Sequence, residues 1–268
     1  MRGRIIAASA VTAAMLVLAG CDQIKASSDC LSVADSLPDA KIAACTTAID
    51  GKLLTGQDLA VGYNNRGEAW RDKGYTAKAI ADLTQAITLD PTLGHAYNNR
   101  GLTYHDMGNQ DQAIADLTQA LALDPKDHLA LNNRGLAWSA KGEYAKAVSD
   151  YNQAIQLDAT DALPFNNRGE AERQQGQNDQ AMADYNHALT LNPQMRQAYN
   201  NRGLTYEAEG NTPAALADYN HAIQLYAGDA AALFNRGRLE LKQGDMAAGN
   251  ADVTQAKTIN PNIGGQTD

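Results

Sequence analysis

The tripeptide Asn-Arg-Gly recurs at a fixed interval of 34 residues, and this period constrains the fold more than any other feature of the sequence. The arginines of the six copies are Arg66, Arg100, Arg134, Arg168, Arg202 and Arg236. A 34-residue period is typical of helix-turn-helix repeats that stack into a solenoid with one continuous core. Such a chain offers an extended surface rather than a catalytic pocket, so the period predicts a protein that works by binding.

The residues inside each repeat predict two helices separated by a glycine turn. With the glycine of the tripeptide numbered position eight, positions four, eight and eleven lie on one helix face, as Tyr97, Gly101 and Tyr104 do in repeat two. A glycine at position fifteen ends each first helix, and alanines seven residues apart mark the second. We therefore predict an all-α fold with repeats at 60–93, 94–127, 128–161, 162–195, 196–229 and 230–263.

Repeat two carries the clearest motif. In order, it contains Tyr97-x-x-Arg100-Gly101-x-x-Tyr104, Gly108, Ala113-x-x-x-Leu117, Ala120 and Pro125. This pattern resembles the tetratricopeptide repeat (TPR) family, and the resemblance extends over residues 60–263. It implies a right-handed superhelical solenoid whose concave groove accepts a peptide or helix of another protein.

The two ends of the repeat array differ from its middle. Residues 30–59 resemble half a repeat, which predicts a short helical N-terminal cap. Cys30 and Cys45 lie in this cap, and an exported compartment permits a disulfide between them; two buried free thiols are the alternative. Only a tail at 264–268 follows repeat six, so either a polar outer face or another subunit covers that end.

The first 29 residues predict export and a lipid anchor. Residues 1–20 have a basic start, an apolar stretch and small residues, as a signal peptide does. Leu18-Ala19-Gly20-Cys21 resembles the lipobox of bacterial lipoproteins, which implies a diacylglycerol, with acyl chains such as palmitate, on Cys21 and a tether over 21–29. The alternative is an ordinary signal peptide with a chance cysteine. Asp22 resembles an inner-membrane retention signal, which favours the periplasmic face of the inner membrane over the outer membrane.

The charge of the chain argues against a nucleic-acid partner. The formal net charge is −9, and removal of Arg2 and Arg4 leaves 20 basic against 31 acidic residues, or −11. A nucleic-acid-binding surface needs a cluster of basic side chains, and no basic stripe is present in the sequence. Acidity favours solubility and does not select a partner.

One departure from the family pattern recurs in every repeat. Position seven, usually leucine, is arginine, and an aspartate follows sixteen residues later. Both positions are equally distant from the turn glycine, so an antiparallel hairpin brings them together. We predict six structural ion pairs rather than arginines that bind anionic ligands. The pairs are Arg66 with Asp82, Arg100 with Asp116, Arg134 with Asp150, Arg168 with Asp184, Arg202 with Asp218 and Arg236 with Asp252.

Asparagines line the helix face that corresponds to the concave groove. Stacked side-chain amides can bond a ligand backbone of any sequence, whereas the alternative is that they satisfy neighbouring helices. The residues predicted to bind a peptide are Asn65, Asn98, Asn99, Asn132, Asn133, Asn166, Asn167, Asn201 and Asn235, with Leu102 and Leu136 as apolar anchors. These leucines are alternatively packing residues between repeats.

No catalytic or metal-binding motif stands out, and neither an enzyme activity nor a cofactor is predicted. The sequence favours a membrane-anchored adaptor or scaffold of the cell envelope that binds a peptide or helix of another protein. The alternative is a self-associating structural lipoprotein that forms a homodimer through its last repeat and uses no groove ligand.

Overall fold

The computed structural model describes residues 24–32 and 37–264, and this part of the chain contains fourteen α-helices and no strand. Helix α1 spans residues 24–31. The others are α2 Pro38–Asp50, α3 Gly56–Asp72, α4 Thr76–Leu89, α5 Gly94–Asp106, α6 Gln110–Leu123, α7 His128–Ala140, α8 Tyr144–Leu157, α9 Ala162–Gln174, α10 Asn178–Leu191, α11 Arg196–Ala208, α12 Thr212–Leu225, α13 Ala230–Lys242 and α14 Met246–Ile259. Consecutive helices pack as the antiparallel pairs of a tetratricopeptide solenoid, so the predicted fold class is confirmed.

The glycine at position fifteen forms the turn of each hairpin. In repeat two, Gly108 has φ +79°, and its N–H donates to His105 O at 2.9 Å while Asn109 N–H donates to Tyr104 O at 2.8 Å. These bonds close the end of α5, and glycine adopts the positive φ without a steric penalty. The equivalent glycine has a positive φ in every repeat, which fixes the same reversal six times.

Small residues let the two helices of a hairpin approach closely. A Cβ atom added to Gly101 on α5 would lie 2.7 Å from Leu117 Cγ and 3.1 Å from the backbone oxygen of Ala113, both on α6. Ala113 and Ala120 are fully or almost fully buried in this contact. The residues that follow the 34-residue period therefore form the core of each hairpin.

The chain divides into two compact parts, Met1–Ala137 and Trp138–Asp268. In the N-terminal part, the predicted Cys30–Cys45 disulfide joins α1 to α2. Both cysteines are completely buried in a cluster with Ala48, Ile49 and Leu54. The N-terminal cap therefore consists of α1 and α2, and α2 packs on α3.

Part of the segment predicted as a tether over residues 21–29 is helical. Residues 24–29 belong to α1, while Cys21 and the predicted signal peptide lie outside the described residues. Helix α1 is held by the disulfide near its C-terminal end, where Lys41 Nζ also donates to Asp29 O at 3.1 Å and Ser32 O at 2.6 Å. A cation at these unpaired carbonyls stabilises the end of the helix.

In the C-terminal part, α9 to α14 form three hairpins of the same kind, and α8 precedes them. Tyr151, Tyr185 and Tyr219 occupy the core position that Leu83 and Leu117 fill in repeats one and two. After α14, a turn over residues 261–264 brings Gly264 so close to Phe234 that an added Cβ would lie 2.5 Å from the ring. The end of the chain therefore covers part of α13.

Among the described residues, none of the helices combines the length and the apolar composition needed to cross a membrane.

Candidate functional site

The arginine at position seven lies against the aspartate of its own hairpin. In repeat two, Arg100 Nε donates to Asp116 Oδ2 at 2.7 Å and Nη2 donates to Asp116 Oδ1 at 2.8 Å. The bidentate bond raises the pKa of Arg100, and burial opposes it. The same geometry joins Arg66 to Asp82, Arg168 to Asp184, Arg202 to Asp218 and Arg236 to Asp252.

The aspartates of these pairs are buried more completely than a lone carboxylate could be. Asp82 and Asp252 are each 8% exposed, and Asp218 is 6% exposed. The guanidinium therefore replaces the water that an exposed carboxylate would bind, and the arginine is not free to hold an anionic ligand. In repeats one, five and six, the structure thus gives Asp82, Asp218 and Asp252 a structural role inside the hairpin rather than a place on a binding surface.

The remaining predicted pair, Arg134 with Asp150, has its two residues in different parts of the chain. Arg134 lies in the N-terminal part, where its Nη1 donates to Thr118 Oγ1 at 3.4 Å. Asp150 is buried in the C-terminal part.

The third arm of each guanidinium, its Nη1, donates to the preceding repeat or, in Arg66, to the cap. This bond was not predicted from the sequence. Arg100 Nη1 donates to Thr84 Oγ1 at 3.1 Å, and Arg168 Nη1 donates to Asn152 Oδ1 at 2.6 Å. A hydroxyl or amide at position 25 of every repeat is the signal that could have revealed this bond. The full set of acceptors is Thr46, Thr84, Thr118, Asn152, Asn186 and Asn220.

The asparagines at positions five and six bond each other between repeats. Asn99 Nδ2 donates to Asn64 Oδ1 at 3.1 Å, and Asn133 Nδ2 donates to Asn98 Oδ1 at 3.0 Å. At the start of the array, Asn65 Nδ2 donates to Cys30 O at 2.9 Å. The position-six amide nitrogens of the N-terminal part are therefore used inside the protein.

The C-terminal part repeats this arrangement. Asn201 Nδ2 donates to Asn166 Oδ1 at 3.2 Å, and Asn235 Nδ2 donates to Asn200 Oδ1 at 2.8 Å. Asn166 Nδ2 in turn donates to Asn167 Oδ1. Most hydrogen bonds of these asparagines are therefore made within the protein, as expected if the amides satisfy neighbouring helices rather than a ligand.

Burial further limits which asparagines a ligand could reach. Five of these side chains are buried: Asn64, Asn99, Asn132, Asn166 and Asn200. Three of the five, Asn99, Asn132 and Asn166, are among the residues predicted to bind a peptide. Within each part, first helices of neighbouring repeats pack side by side, as α3 and α5 do and as α9, α11 and α13 do, and this packing contributes to the burial.

A cleft of about 480 Å³ lies beside these asparagines in the N-terminal part. Binding pockets for small ligands are of this size. The cleft is built from the cap and from the first helices of repeats one to three. Its lining is Leu31, Ser32, Pro38, Lys41, Val61, Asn64, Asn65, Glu68, Ala69, Asp72, Leu93, His95, Asn98, Asn99 and Leu129. We call it the cap cleft.

The predicted binding residues are only partly brought together in the cap cleft. Asn65, Asn98 and Asn99 line it, whereas Leu102 and Leu136 do not. Its apolar wall includes Leu93 and Leu129 instead. The signal for Leu129 was its position: Val61, His95 and Leu129 all occupy position two of their repeats and all line the cap cleft.

The charged residues of the cap cleft are not equally available. Lys41 directs its amine at two backbone carbonyls of the cap. Asp72 accepts one hydrogen bond from Arg71 at 2.8 Å. Glu68 is exposed and makes no hydrogen bond or ion pair to any described residue. Lys41, Glu68 and Asp72 are the charged side chains of the lining, so their formal charges sum to −1.

The corresponding face of the C-terminal part has paired charges. Glu207 accepts from Arg238 Nη2 at 2.9 Å and from Lys242 Nζ at 2.6 Å. Glu170 accepts two bonds from Arg173, at 2.7 and 3.0 Å. These carboxylates are neutralised by the protein itself.

Two repeats place a glutamate where the others have an aromatic residue. Glu172 and Glu240 stand at position eleven, and each has a buried Oε2 with no hydrogen-bond partner among the described residues. Burial, together with the nearby Asp184, raises the pKa of Glu172 to about 7, and Arg168 opposes the shift. Burial likewise raises the pKa of Glu240.

The raised pKa of Glu172 predicts a loss of stability with rising pH. The folded state binds this proton more tightly than the unfolded chain does, since the pKa of a glutamate in an unfolded chain is about 4.3. The free energy of unfolding should fall by about 1–2 kcal/mol as the pH rises from about 4.5 to about 7, allowing for solvent screening. Chemical denaturation across this range, compared between the wild type and Glu172→Gln, measures the effect. An unchanged pH slope in Glu172→Gln would contradict it.

Within the described residues, no group of three or more histidine, cysteine, aspartate or glutamate side chains is arranged to hold a metal ion.

Comparison with known families identifies the class of the chain. A model described as TPR repeat matches residues 67–108 and 169–210, and models described as Tetratricopeptide repeat match 95–127, 128–161 and 210–256. Together these matches cover more than half of the sequence. The chain belongs to the tetratricopeptide repeat family, whose members generally serve as non-catalytic scaffolds that bind other proteins or peptides.

Solved structures share the fold at low sequence identity. A tetratricopeptide repeat protein from Parabacteroides merdae is 19% identical, with a TM-score of 0.70, over 83% of this chain and 87% of that one. PilW, described as a widely conserved type IV pilus biogenesis factor, is 20% identical, with a TM-score of 0.67, over 76% of this chain and 94% of that one.

PilF of Pseudomonas aeruginosa is 23% identical, with a TM-score of 0.64, over 77% of this chain and 95% of that one. No curated protein matches the chain. At these identities the likeness shows the fold alone.

Proposed function

We propose that this chain is an adaptor of the bacterial cell envelope that docks a segment of another protein in the cap cleft. A lipid on Cys21 would hold it at a membrane surface, facing the periplasm. The observation that carries the proposal is the cap cleft itself: about 480 Å³ of space, lined by aliphatic side chains, amides and carboxylates of several helices.

The side chains of the cap cleft suit a peptide or a helix better than a small charged metabolite. Leu129 is 49% exposed and lines the cap cleft, so its side chain is accessible to a partner there. Asn98 and Asn99 add polar groups beside this apolar surface. Interfaces combine an apolar anchor site with polar surroundings in this way.

The asparagines contribute less to binding than their number suggests. Their Nδ2 atoms at position six already donate to the preceding repeat or to the cap. Replacing them would disturb the stacking of the repeats together with any ligand contact. The aliphatic wall therefore provides the better test of binding.

Crosslinking capture from native envelopes tests the docking site. Leu129→Asp should abolish capture of the partner, because an aspartate in an apolar anchor site carries an uncompensated charge into the interface. Leu157→Asp is the matched control, since Leu157 is 43% exposed and lies outside the cap cleft. Circular dichroism should show both variants folded. Equal capture by Leu129→Asp and the wild type would overturn the proposed site.

The same envelopes test the anchor. The wild type should sediment with membranes, and Cys21→Ser should appear in the soluble fraction because it lacks the acylated sulfur. Membrane association of Cys21→Ser equal to that of the wild type would contradict lipid anchoring through this residue.

A further inference from the structure

We propose, resting on the proposed function, that the cap cleft selects a peptide segment in which a lysine or arginine stands close to an aliphatic side chain. The cation would lie at Glu68 and Asp72, and the aliphatic side chain would pack on Leu129. The proposal follows from Glu68, which has no cation of the protein beside it among the described residues, and from Asp72, which binds Arg71 through one oxygen only.

Glu68 and Asp72 present two carboxylates on one face of α3. They are four residues apart, so their side chains are neighbours on the helix surface. They also lie in the last turns of α3, which ends at Asp72. The macrodipole of α3 places partial negative charge at this end of the helix, which adds to the attraction for a cation.

The cations of the protein near these carboxylates are already engaged. Lys41 donates to Asp29 O and Ser32 O. Arg71 donates to one oxygen of Asp72, and Lys73 pairs with Asp39 on α2. Glu68 has no partner among the described residues, so a cation from outside would meet a carboxylate that is free to bind it.

The apolar half of the cap cleft is contributed by other helices. Leu129 lies in the first turn of α7, Leu93 precedes α5, and both line the same cleft as Glu68. A segment that reaches from α3 to α7 would therefore meet carboxylates first and aliphatic side chains next. A bound segment would therefore need a basic residue for the carboxylates of α3 and an aliphatic residue for Leu129 on α7.

On the corresponding face of the C-terminal part, the carboxylates are paired with basic side chains of the protein. There Glu207 accepts from both Arg238 and Lys242, and Glu170 from Arg173. A basic ligand would have to displace these cations before it could bind. The preference for a cation is thus a property of the cap cleft and not of the repeat pattern.

Salt tests the charge part of the proposal. The attraction between a basic residue and the two carboxylates is electrostatic, so added salt screens it. Binding of a basic peptide should therefore weaken as the salt concentration rises.

Panning of a random heptapeptide phage library on the purified full-length chain tests the proposal. Four proteins are compared: the wild type, the charge variant Glu68→Gln/Asp72→Asn, the control Asp179→Asn/Glu209→Gln, and Leu129→Asp. Asp179 and Glu209 are exposed carboxylates outside the cap cleft, so the control removes the same charge. Peptides enriched by the wild type are then synthesised and measured by fluorescence anisotropy at two salt concentrations.

We expect enriched peptides to contain a lysine or arginine near a leucine, isoleucine or valine. The charge variant should bind them about tenfold more weakly, the control should bind as the wild type does, and Leu129→Asp should not bind. Enriched peptides without basic residues, bound equally by the charge variant but lost in Leu129→Asp, would overturn the charge preference and leave the docking site standing. Failure to enrich any peptide that Leu129→Asp loses would overturn both.

Discussion

Asp116→Asn should lower the free energy of unfolding by about 3 kcal/mol, because it leaves the Arg100 guanidinium partly buried without its carboxylate. Arg100 donates two bonds to Asp116, and Asp116 is only 8% exposed. An asparagine of the same shape can accept one of these bonds but carries no charge. Urea denaturation followed by circular dichroism measures the loss.

A double variant distinguishes the loss of the Arg100–Asp116 bonds from the cost of leaving the Arg100 charge buried without a partner. Arg100→Leu/Asp116→Asn removes the guanidinium as well, and leucine is the residue that the tetratricopeptide pattern usually has at position seven. Most of the lost stability should return, since replacing a buried ion pair by apolar residues is often close to neutral. Asp106→Asn, an exposed aspartate at the end of α5, is the control and should leave stability nearly unchanged. Should Asp116→Asn melt at the wild-type temperature, the pair is not a buried one.

Cys30→Ser/Cys45→Ser should free α1 from α2 and destabilise the cap by about 3 kcal/mol, the value expected for a loop of about 15 residues. The cap has few other contacts to replace the bond, since its buried cluster is small. Because Leu31 and Ser32 line the cap cleft, loss of α1 should also weaken peptide binding. Hydrogen exchange over residues 24–50 reports the local opening.

Reduction of the wild-type protein is the matched comparison for the double serine variant. Both should show faster exchange over α1 and α2, while α9 to α14 keep their protection. Unchanged protection of α1 after reduction would show that packing alone holds the cap.

The hairpins and their ion pairs follow from the sequence because they depend on short and fixed separations. The glycine at position fifteen sets the reversal, and two positions equally distant from it lie at the same level of the hairpin. Arg100 and Asp116 are an example. An exported compartment and the 15-residue separation of Cys30 and Cys45 favoured the disulfide, with two buried free thiols as the alternative, and the structure contains the bond.

The contacts between repeats were harder to predict because they depend on how one hairpin stacks on the next. The bond from Asn99 to Asn64 joins residues 35 apart, and the bond from Arg100 to Thr84 crosses to the preceding repeat. The period shows that these residues recur but not which of them face each other. For this reason the sequence could not decide whether the asparagines bind a ligand or the neighbouring helix.

The cap cleft was predictable only in part. The periodicity places positions two, five, six, nine, twelve and thirteen on one helix face. In repeat one all of these line the cleft except Arg71 at position twelve, namely Val61, Asn64, Asn65, Glu68 and Asp72. The contribution of Leu31 and Lys41 does not follow from it, because α1 lies outside the repeat pattern. Its place depends on the disulfide and on the bonds of Lys41 to the end of α1.

The third arm of each arginine determines how far a local opening can spread along the array. A solenoid unfolds as a row of coupled elements, and its cooperativity depends on the strength of each interface. Threonine accepts this arm at 3.1–3.4 Å in the first repeats, whereas asparagine accepts it at 2.6 Å from Asn152 onward. This hydrogen bond is therefore longer, and contributes less, in the interfaces nearer the N-terminus. The disulfide lies at this end, where a covalent bond limits the opening most.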